Sequence, residues 1–255
     1  MKYAIIAVLS LMLMLHLSCG GEDTTEKTTT WDRVKTASTL RIGTDATYSP
    51  FEFMDTDEGK LVGYDVDLMK ALCEELDVAP SFMVVPFEGI IAGLNSNKYD
   101  CVISAMTITD ERKESIAFSD QYYSAGQIIA VRTDNDEVNS TEDLKGKKIG
   151  VQMGTTGMLL AQTIAGAEIV PFDHIGAAFI DLSNGRVDAV INDLPVTLRA
   201  IRDRGEIKTV GEVLTSEQYG IGVRKTDTKL IERINSALSA LKARGFFLQL
   251  EEKWF

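Results

Sequence analysis

The segment Cys101-Val-Ile-Ser-Ala-Met-Thr-Ile-Thr-Asp-Glu-Arg-Lys113 combines a strand pattern, a turn of small residues and a helix start. Its apolar beginning is typical of a strand. Thr109 is placed to be a helix N-cap, because acidic residues follow it in what would be the first helical turn. The segment therefore predicts a strand–turn–helix unit.

The turn in this segment has the chemistry of a ligand site. Ser104, Ala105 and Thr107 are small enough for a ligand to approach the backbone, and Arg112 would lie close by on the helix. An arginine so placed can bind a carboxylate through two parallel hydrogen bonds. The alternative is a surface arginine that pairs with an acid of its own helix, and this segment alone leaves both open.

Strand and helix patterns alternate along the rest of the chain. Strands are predicted at 40–43, 81–85, 101–103, 127–132, 147–151, 168–170, 187–191 and 218–224. Helices are predicted at 31–38, from Asp65 as the cap, at 89–95, after Thr109, after Gly157, at 175–183, from Pro195 to about 202, and twice near the C-terminus. The alternation predicts an α/β fold of mainly parallel sheets with right-handed crossovers.

Four polar turns follow predicted strands, namely Asp45–Tyr48, Ser104–Arg112, Gln152–Thr156 and Asn192–Asp193. Ligands of open parallel sheets bind beyond the carboxyl ends of the strands. The first two turns belong to one α/β unit and the last two to another. We therefore expect a ligand between two lobes to contact all four turns.

The side chains of these turns are complementary to a zwitterion. Arg112 and the free N–H groups at the helix start near Thr155 and Thr156 suit a carboxylate. Asp193 and the Thr107 hydroxyl suit an ammonium group. The alternative for Asp193 is a helix N-cap before the following Leu-Pro pair.

Two aromatic and two polar residues would contact the rest of the ligand. Tyr48 and Phe87 offer aromatic faces to a side chain, although each alone is more typical of a core residue. Asp45 and Gln152 offer polar contacts to its tip. Two of the four, Tyr48 and Gln152, lie in separate α/β units, so both lobes would contact this end of the ligand.

The N-terminus has the pattern of an exported protein. Residues 1–18 have a positive start and an apolar run too short to span a membrane, which predicts a signal peptide. Cys19 follows directly and is a predicted lipidation site, although His16 stands where the usual pattern has leucine; simple secretion is the alternative. Residues 20–30 are polar and threonine-rich, as in a flexible tether.

Composition excludes several classes of function. The 255-residue chain has a formal net charge of −12 with dispersed acids, which argues against nucleic-acid binding. His174 is the only histidine beyond the signal peptide, so no metal or other cofactor is expected. The acidic turn at 55–60 lacks the ligand spacing of a calcium loop. Cys73 and Cys101 could form a disulfide or remain buried free thiols.

Several motifs together point to one family. They are Gly63-Tyr-Asp-Val-Asp-Leu, Ile108-Thr-Asp-Glu-Arg-Lys113, Phe118-Ser-Asp120, Tyr122-Tyr123 and Gln218-Tyr-Gly-Ile-Gly. With these motifs the chain from about residue 40 to 255 resembles the periplasmic or extracellular solute-binding proteins of polar amino-acid ABC transporters, of the family 3, arginine- or glutamine-binding type.

The resemblance implies a type II periplasmic-binding fold of two lobes joined by two hinge strands. One lobe would comprise 38–124 and 219–255, and the other 125–218, after a tether and short helix at 19–37. Hinge closure would bury a free amino acid, and an ABC permease would recognise the closed form. We expect a monomer on the outer face of the membrane or in the periplasm, held to the membrane only by its lipid.

By the same resemblance, Arg112 would bind the α-carboxylate with the backbone N–H groups of Thr107 and Thr156. Asp193 would bind the α-ammonium with the Ser104 and Ala105 carbonyls. Tyr48 and Phe87 would sandwich the side chain, and Asp45 would meet its polar end.

Residues that differ from the pattern of known relatives narrow the choice of ligand and of activity. Gln152 stands where glutamine binders carry lysine, which favours arginine or another cationic amino acid; glutamine is the alternative. The aromatic pair could stack on a guanidinium. Cyclohexadienyl dehydratases share the fold, but the only histidine, His174, lies away from the four turns, so we expect no enzyme and no catalytic residue.

Overall fold

The computed structural model describes residues 28–255, so the predicted signal peptide and the lipidation site Cys19 lie outside the described residues. The helices are α1 Thr30–Ala37, α2 Tyr64–Glu75, α3 Ile90–Asn95, α4 Asp110–Ser115, α5 Thr156–Gln162, α6 Ile175–Ser183, α7 Leu194–Arg204, α8 Thr228–Ala243 and α9 Phe246–Trp254. Short 3-10 turns lie at Phe87–Gly89 and Glu142–Leu144.

The strands form two large sheets and two small ones. They are β1 Thr39–Thr44, β2 Thr47–Tyr48, β3 Glu52–Met54, β4 Leu61–Val62, β5 Ala79–Val84, β6 Cys101–Val102, β7 Ala117–Phe118, β8 Tyr123–Ala125, β9 Gln127–Arg132, β10 Lys148–Gln152, β11 Glu168–Phe172, β12 Ala189–Asp193, β13 Ile207–Val210, β14 Glu217–Tyr219 and β15 Gly222–Val223.

The two large sheets have the same pattern, which confirms the two-lobed α/β fold. The first lobe has the order β5-β1-β6-β15-β7, and the second has β11-β10-β12-β9-β13. In each sheet the first three strands are parallel to one another. The fourth strand is antiparallel to the third, and the fifth is antiparallel to the fourth. Each sheet is therefore mixed, with its parallel part built from strand–helix–strand units.

The chain passes between the lobes at one antiparallel pair of short strands. β8 pairs with β14, and Tyr123 lies opposite Tyr219. The strands of the second sheet fall between residues 127 and 210, whereas the first sheet takes strands from both sides of this range. We call the β8–β14 pair the hinge strands.

The predicted role of Asp65 as a helix cap is wrong. The N-cap of α2 is Gly63, which has a φ of 137° and packs so closely that a Cβ would collide with the Phe51 carbonyl oxygen. Asp65 is instead buried, and its carboxylate accepts hydrogen bonds from the Ala105 N–H (2.8 Å) and the Tyr122 hydroxyl (2.9 Å). It thereby fixes the turn after β6.

Two other local predictions are corrected. The single strand predicted at 218–224 is two strands, β14 and β15, because the chain leaves the hinge and joins the first sheet between them. The turn predicted at Asp45–Tyr48 contains β2, which pairs with β3, and β3 pairs in turn with β4. This small sheet places Tyr48 and Glu52 beside each other at the cleft.

In the core of the first lobe, α2 packs against β5 and α8, and fully buried residues such as Leu40, Ile42 and Leu72 belong to this core. Both Cys73 and Cys101 are buried there as free thiols, so of the two open alternatives the structure has the unpaired one. Burial raises the pKa of the Cys73 thiol to about 12, which keeps it protonated and unreactive.

Within residues 28–255, no helix combines the length and apolarity needed to cross a membrane.

Candidate functional site

The turn after β6 presents Arg112 to the space between the lobes. Thr109 caps α4 as predicted, since its hydroxyl accepts a hydrogen bond from the Arg112 N–H at 3.1 Å. The guanidinium donates to the Thr107 carbonyl at 2.8 Å and to the Gly154 carbonyl of the other lobe at 3.0 Å. It also lies over the Phe87 ring, 5.3 Å from the centroid. Arg112 is therefore a residue of the cleft.

The cleft between the lobes contains a small cavity, which encloses about 290 Å³ of space between atoms when its opening to solvent is included. All eleven side chains predicted to bind ligand line this cavity, together with Glu52. The lining residues are Asp45, Tyr48, Glu52, Phe87, Ser104, Ala105, Thr107, Arg112, Gln152, Thr155, Thr156 and Asp193.

The lobes contact each other directly on two sides of this cavity. The Tyr48 hydroxyl lies 2.8 Å from Asn192 Oδ1 and 2.5 Å from Asp193 Oδ2. Gln152 Nε2 donates to Asp45 Oδ2 at 2.8 Å. Each contact joins one lobe to the other, so the cleft is in a closed arrangement.

Asp193 lies at the end of β12 with its carboxylate in the cavity wall. The residue occupies the N-cap position of α7, as the alternative predicted, but its side chain makes no capping hydrogen bond, so the carboxylate is available to the cavity. Its carboxylate accepts a hydrogen bond from Gln127 Nε2 at 2.5 Å. Burial, and next the charge of Glu217, raise the pKa of Asp193 to about 7, although Arg112 nearby opposes this.

Two further carboxyl groups lie in the wall formed by the first lobe. Burial raises the pKa of Asp45, which also accepts a hydrogen bond from the Thr47 hydroxyl at 2.6 Å. Burial, and next the charge of Asp65, raise the pKa of Glu52 well above its ordinary value. Glu52 accepts a hydrogen bond from the Ser104 hydroxyl at 2.7 Å. These groups carry negative charge most readily when a cation is beside them.

The polar turn after β10 forms the cavity wall of the second lobe. Thr155 caps α5, accepting a hydrogen bond from the Met158 N–H at 3.2 Å. Thr156 is the first residue of α5, so its N–H is one of the donors that the helix itself leaves unpaired. Gly154 precedes them with a φ of 75°, and a Cβ there would lie 3.2 Å from the Glu88 Cα of the first lobe.

Three polar residues at or behind the cavity were not predicted from the sequence, namely Glu52, Gln127 and Glu217. Each is buried, and Gln127 and Glu217 are 3.2 Å apart through Gln127 Nε2 and Glu217 Oε1. Each is the first residue of a strand, β3, β9 or β14, and none lies in one of the four predicted ligand turns. For Glu52 and Gln127, a polar residue beside an aromatic or apolar strand residue was the available signal, whereas Glu217 lies between two polar residues and offered none.

The charges around the cavity are unequal. Among the lining residues, three can be anionic, Asp45, Glu52 and Asp193, and one is cationic, Arg112. Burial lowers the pKa of Arg112, and the charges of Glu217 and Asp193 oppose this effect, so the guanidinium stays charged. The cavity thus has one anion-binding group among several acids.

Known proteins are similar to this chain both in sequence and in fold. The family model of bacterial extracellular solute-binding proteins, family 3, matches residues 40–255. ABC transporter arginine-binding protein 1 of Escherichia coli K12 is 36% identical over 225 residues, covering 86% of this chain and 91% of that protein. The L-arginine-binding protein of Pseudomonas aeruginosa PAO1 is 39% identical over 232 residues, covering 85% and 87%.

A solved structure agrees with these relatives. An ancestral arginine-binding protein bound to arginine is 47% identical, with a TM-score of 0.83, covering 86% of this chain and 98% of that one. An ancestral arginine-binding protein bound to glutamine is also 47% identical, with a TM-score of 0.82, covering 86% of this chain and 98% of that one.

A two-lobed α/β protein with a polar cavity between its lobes is of the solute-binding class. This chain belongs to the bacterial extracellular solute-binding proteins, family 3.

Proposed function

We propose that the protein binds a free amino acid with a cationic side chain, arginine first, and delivers it to an ABC importer. The observation that carries this proposal is the excess of acids around the cavity. Asp45, Glu52 and Asp193 face a single arginine there. A neutral zwitterion would leave this excess uncompensated, whereas arginine brings one further positive charge.

One end of the cavity suits the groups common to all amino acids. The Arg112 guanidinium would exchange its carbonyl partners for the α-carboxylate, helped by the N–H groups of Thr107 and Thr156. The α-ammonium would lie between Asp193 and the Ser104 and Ala105 carbonyls. Two of these groups, Arg112 and Asp193, already interact through their charges.

The other end suits a guanidinium. Tyr48 and Phe87 would lie on the faces of the side chain, and a cation on an aromatic face contributes about 0.5–2 kcal/mol. Asp45 and Glu52 would accept its hydrogen bonds. Both carboxyl groups have raised pKa values because they are buried, so an entering cation would restore their charged form.

Glutamine is the second candidate ligand. Gln152 could pair its amide with a ligand amide, and an ancestral arginine-binding protein of similar sequence has been solved with glutamine. Glutamine would make these contacts without neutralising the excess of acids. We therefore expect weaker binding of glutamine than of arginine.

We propose no catalytic residue. His174 is engaged as the N-cap of α6, where its Nδ1 accepts a hydrogen bond from the Ala177 N–H at 3.2 Å. The cavity carboxyl groups Asp45 and Asp193 both have binding roles in the proposal. Turnover of prephenate or arogenate by the purified protein would contradict this assignment.

The remaining parts of the proposal concern the chain outside the cavity. Residues 1–18 would be a signal peptide, and Cys19 would carry the lipid that holds the protein at the outer face of the membrane. The lobes would comprise 38–124 with 219–255, and 125–218. The protein would act as a monomer, and the closed form would dock on the permease.

The test of the proposal is a thermal-shift panel of all common amino acids. A ligand at a hundred times its Kd adds about 2.7 kcal/mol to the free energy of unfolding. Arginine should give the largest rise in Tm, lysine and ornithine smaller rises, and glutamine a small one. A largest shift with aspartate or glutamate would contradict the charge argument.

A further inference from the structure

Glu217 begins the hinge strand β14 and is buried behind the cavity. It is absent from the cavity lining but lies within hydrogen-bond reach of two residues that are part of it. A buried carboxylate is costly unless its oxygens are well paired. Its partners therefore indicate what this residue does.

One oxygen of this carboxylate is bound by both lobes. Oε2 accepts a hydrogen bond from the Thr107 hydroxyl of the first lobe at 2.6 Å. The same atom accepts one from the Thr156 hydroxyl of the second lobe at 2.9 Å. Both bonds can form only when the lobes have come together at this end of the cleft.

The other oxygen fixes the carboxylate to the hinge. Oε1 accepts hydrogen bonds from the Thr215 hydroxyl at 3.0 Å and from Gln127 Nε2 at 3.2 Å. Thr215 lies two residues before the start of β14, and Gln127 is the first residue of β9, separated from the end of β8 by Gly126 alone. The carboxylate therefore keeps its place in the hinge while the two threonines approach it from the lobes.

We propose that Glu217 is a positioning residue that stabilises the closed cleft and aligns Thr107 and Thr156 for the ligand's carboxylate. This inference rests on the proposed function. By accepting hydrogen bonds from both hydroxyl groups, Glu217 directs the threonine side chains away from the ligand's carboxylate and leaves their backbone N–H groups to bind it. The Thr107 hydroxyl oxygen stays free to accept from an ammonium group.

The fraction of closed protein sets the apparent affinity for the ligand. If only the closed arrangement binds tightly, the apparent Kd is the intrinsic Kd divided by the closed fraction. Removal of Glu217 lowers that fraction without touching the side-chain end of the cavity. Every amino-acid ligand should therefore lose affinity by the same factor.

The experiment compares Glu217→Ala and Glu217→Gln with Glu212→Gln, which removes one charge from the exposed loop leading to the hinge strand. Calorimetry should show at least tenfold weaker binding of both arginine and glutamine to Glu217→Ala, with their affinity ratio unchanged. Glu217→Gln keeps one accepting oxygen and should lose less. Glu212→Gln should bind as the wild type does.

A double-mutant cycle with Thr156→Val tests the lobe-to-lobe bond, since this substitution removes the hydroxyl and keeps the backbone N–H. The combined variant Thr156→Val with Glu217→Ala should bind about as well as Glu217→Ala alone. Independent, multiplicative losses would overturn the proposal. So would a changed arginine-to-glutamine ratio in Glu217→Ala, since that would make Glu217 a ligand contact.

Small-angle scattering of the purified proteins without added amino acid separates this inference from the proposed function. Glu217→Ala should have a larger radius of gyration than wild type and Glu212→Gln, and an unchanged radius would overturn the inference. If the wild type binds no amino acid, the proposed function fails. The scattering comparison would still decide whether Glu217 closes the cleft.

Discussion

The two lobes carry sheets of the same strand order but contribute unequally to the cavity. The first lobe supplies eight lining residues, Asp45, Tyr48, Glu52, Phe87, Ser104, Ala105, Thr107 and Arg112. The second supplies Gln152, Thr155, Thr156 and Asp193. The first lobe therefore holds groups for both ends of an amino acid, and the second adds an anion, an amide and a helix start.

This difference suggests a sequence of events. A ligand can bind first to the aromatic, acidic and arginine groups of the first lobe, and the second lobe then closes over it. Substitutions in the first lobe should remove initial binding, whereas those in the second should weaken the closed complex. The following predictions test this division, from the largest expected effect to the smallest.

Arg112→Ala should abolish detectable binding of every amino acid, because truncating one partner of a buried charge pair costs about 2–5 kcal/mol. This corresponds to a loss of about 30-fold to several thousandfold in affinity. Calorimetry with arginine is the measurement, and Lys113→Ala, an exposed neighbour on the same helix, is the matched control. Retention of tight binding by Arg112→Ala would contradict the assignment of the carboxylate site.

Asp193→Asn should weaken arginine and glutamine binding alike, by about ten- to a hundredfold, because a neutral amide cannot pair with the α-ammonium. The effect should be smaller than that of Arg112→Ala, since the Ser104 and Ala105 carbonyls remain. Asp203→Asn, on the exposed surface of α7, is the control and should bind normally. A loss for arginine alone would place Asp193 at the side-chain end instead.

The sequence predicted the fold well because periodicity and strand–helix alternation are local properties. The bounds predicted for α6, residues 175–183, are those observed. The turns of the site could also be predicted, since ligands of such sheets bind beyond the carboxyl ends of the strands, where these polar residues lie. Thr109 as a cap followed from local chemistry in the same way.

The parts that could not be predicted depend on contacts between distant segments. Glu52 and Glu217 come to lie at or behind the cavity only once β3 and the hinge strands have paired with their neighbouring strands. Asp65 has the local pattern of a cap, but the close approach of the Phe51 backbone leaves only Gly63 for that position. The acid excess around the cavity, which favours a cation, is likewise a property of the assembled lobes.

The pH should change binding and stability in opposite directions. Asp193 has a pKa of about 7, raised by burial and by Glu217, and it must be ionised to bind an ammonium group. Arginine affinity should therefore fall about tenfold as the pH is lowered from 7 to below 6. The folded state binds this proton more tightly than the unfolded state, so Asp193 should add stability as the pH falls from about 7 towards 4.

Calorimetry and denaturant titrations between pH 5.5 and 8 measure the two effects. Asp193→Asn is the internal control, because its residual affinity should depend less on pH. An arginine affinity that is constant over this range would contradict the role of Asp193 as the group that binds the ammonium.

The smallest effect is expected where the lobes meet over the side chain, at the 2.8 Å hydrogen bond between Gln152 and Asp45. Asp45→Asn should weaken arginine binding several-fold to about tenfold and leave glutamine nearly unchanged, because it removes a charge that only a cation uses. Gln152→Ala should weaken both ligands by a few-fold, because it removes a contact that closes the cleft. If Asp45→Asn lowered the affinity for arginine and for glutamine equally, Asp45 would also act through closure of the cleft. The division between a binding lobe and a closing lobe would then fail at this end of the cavity.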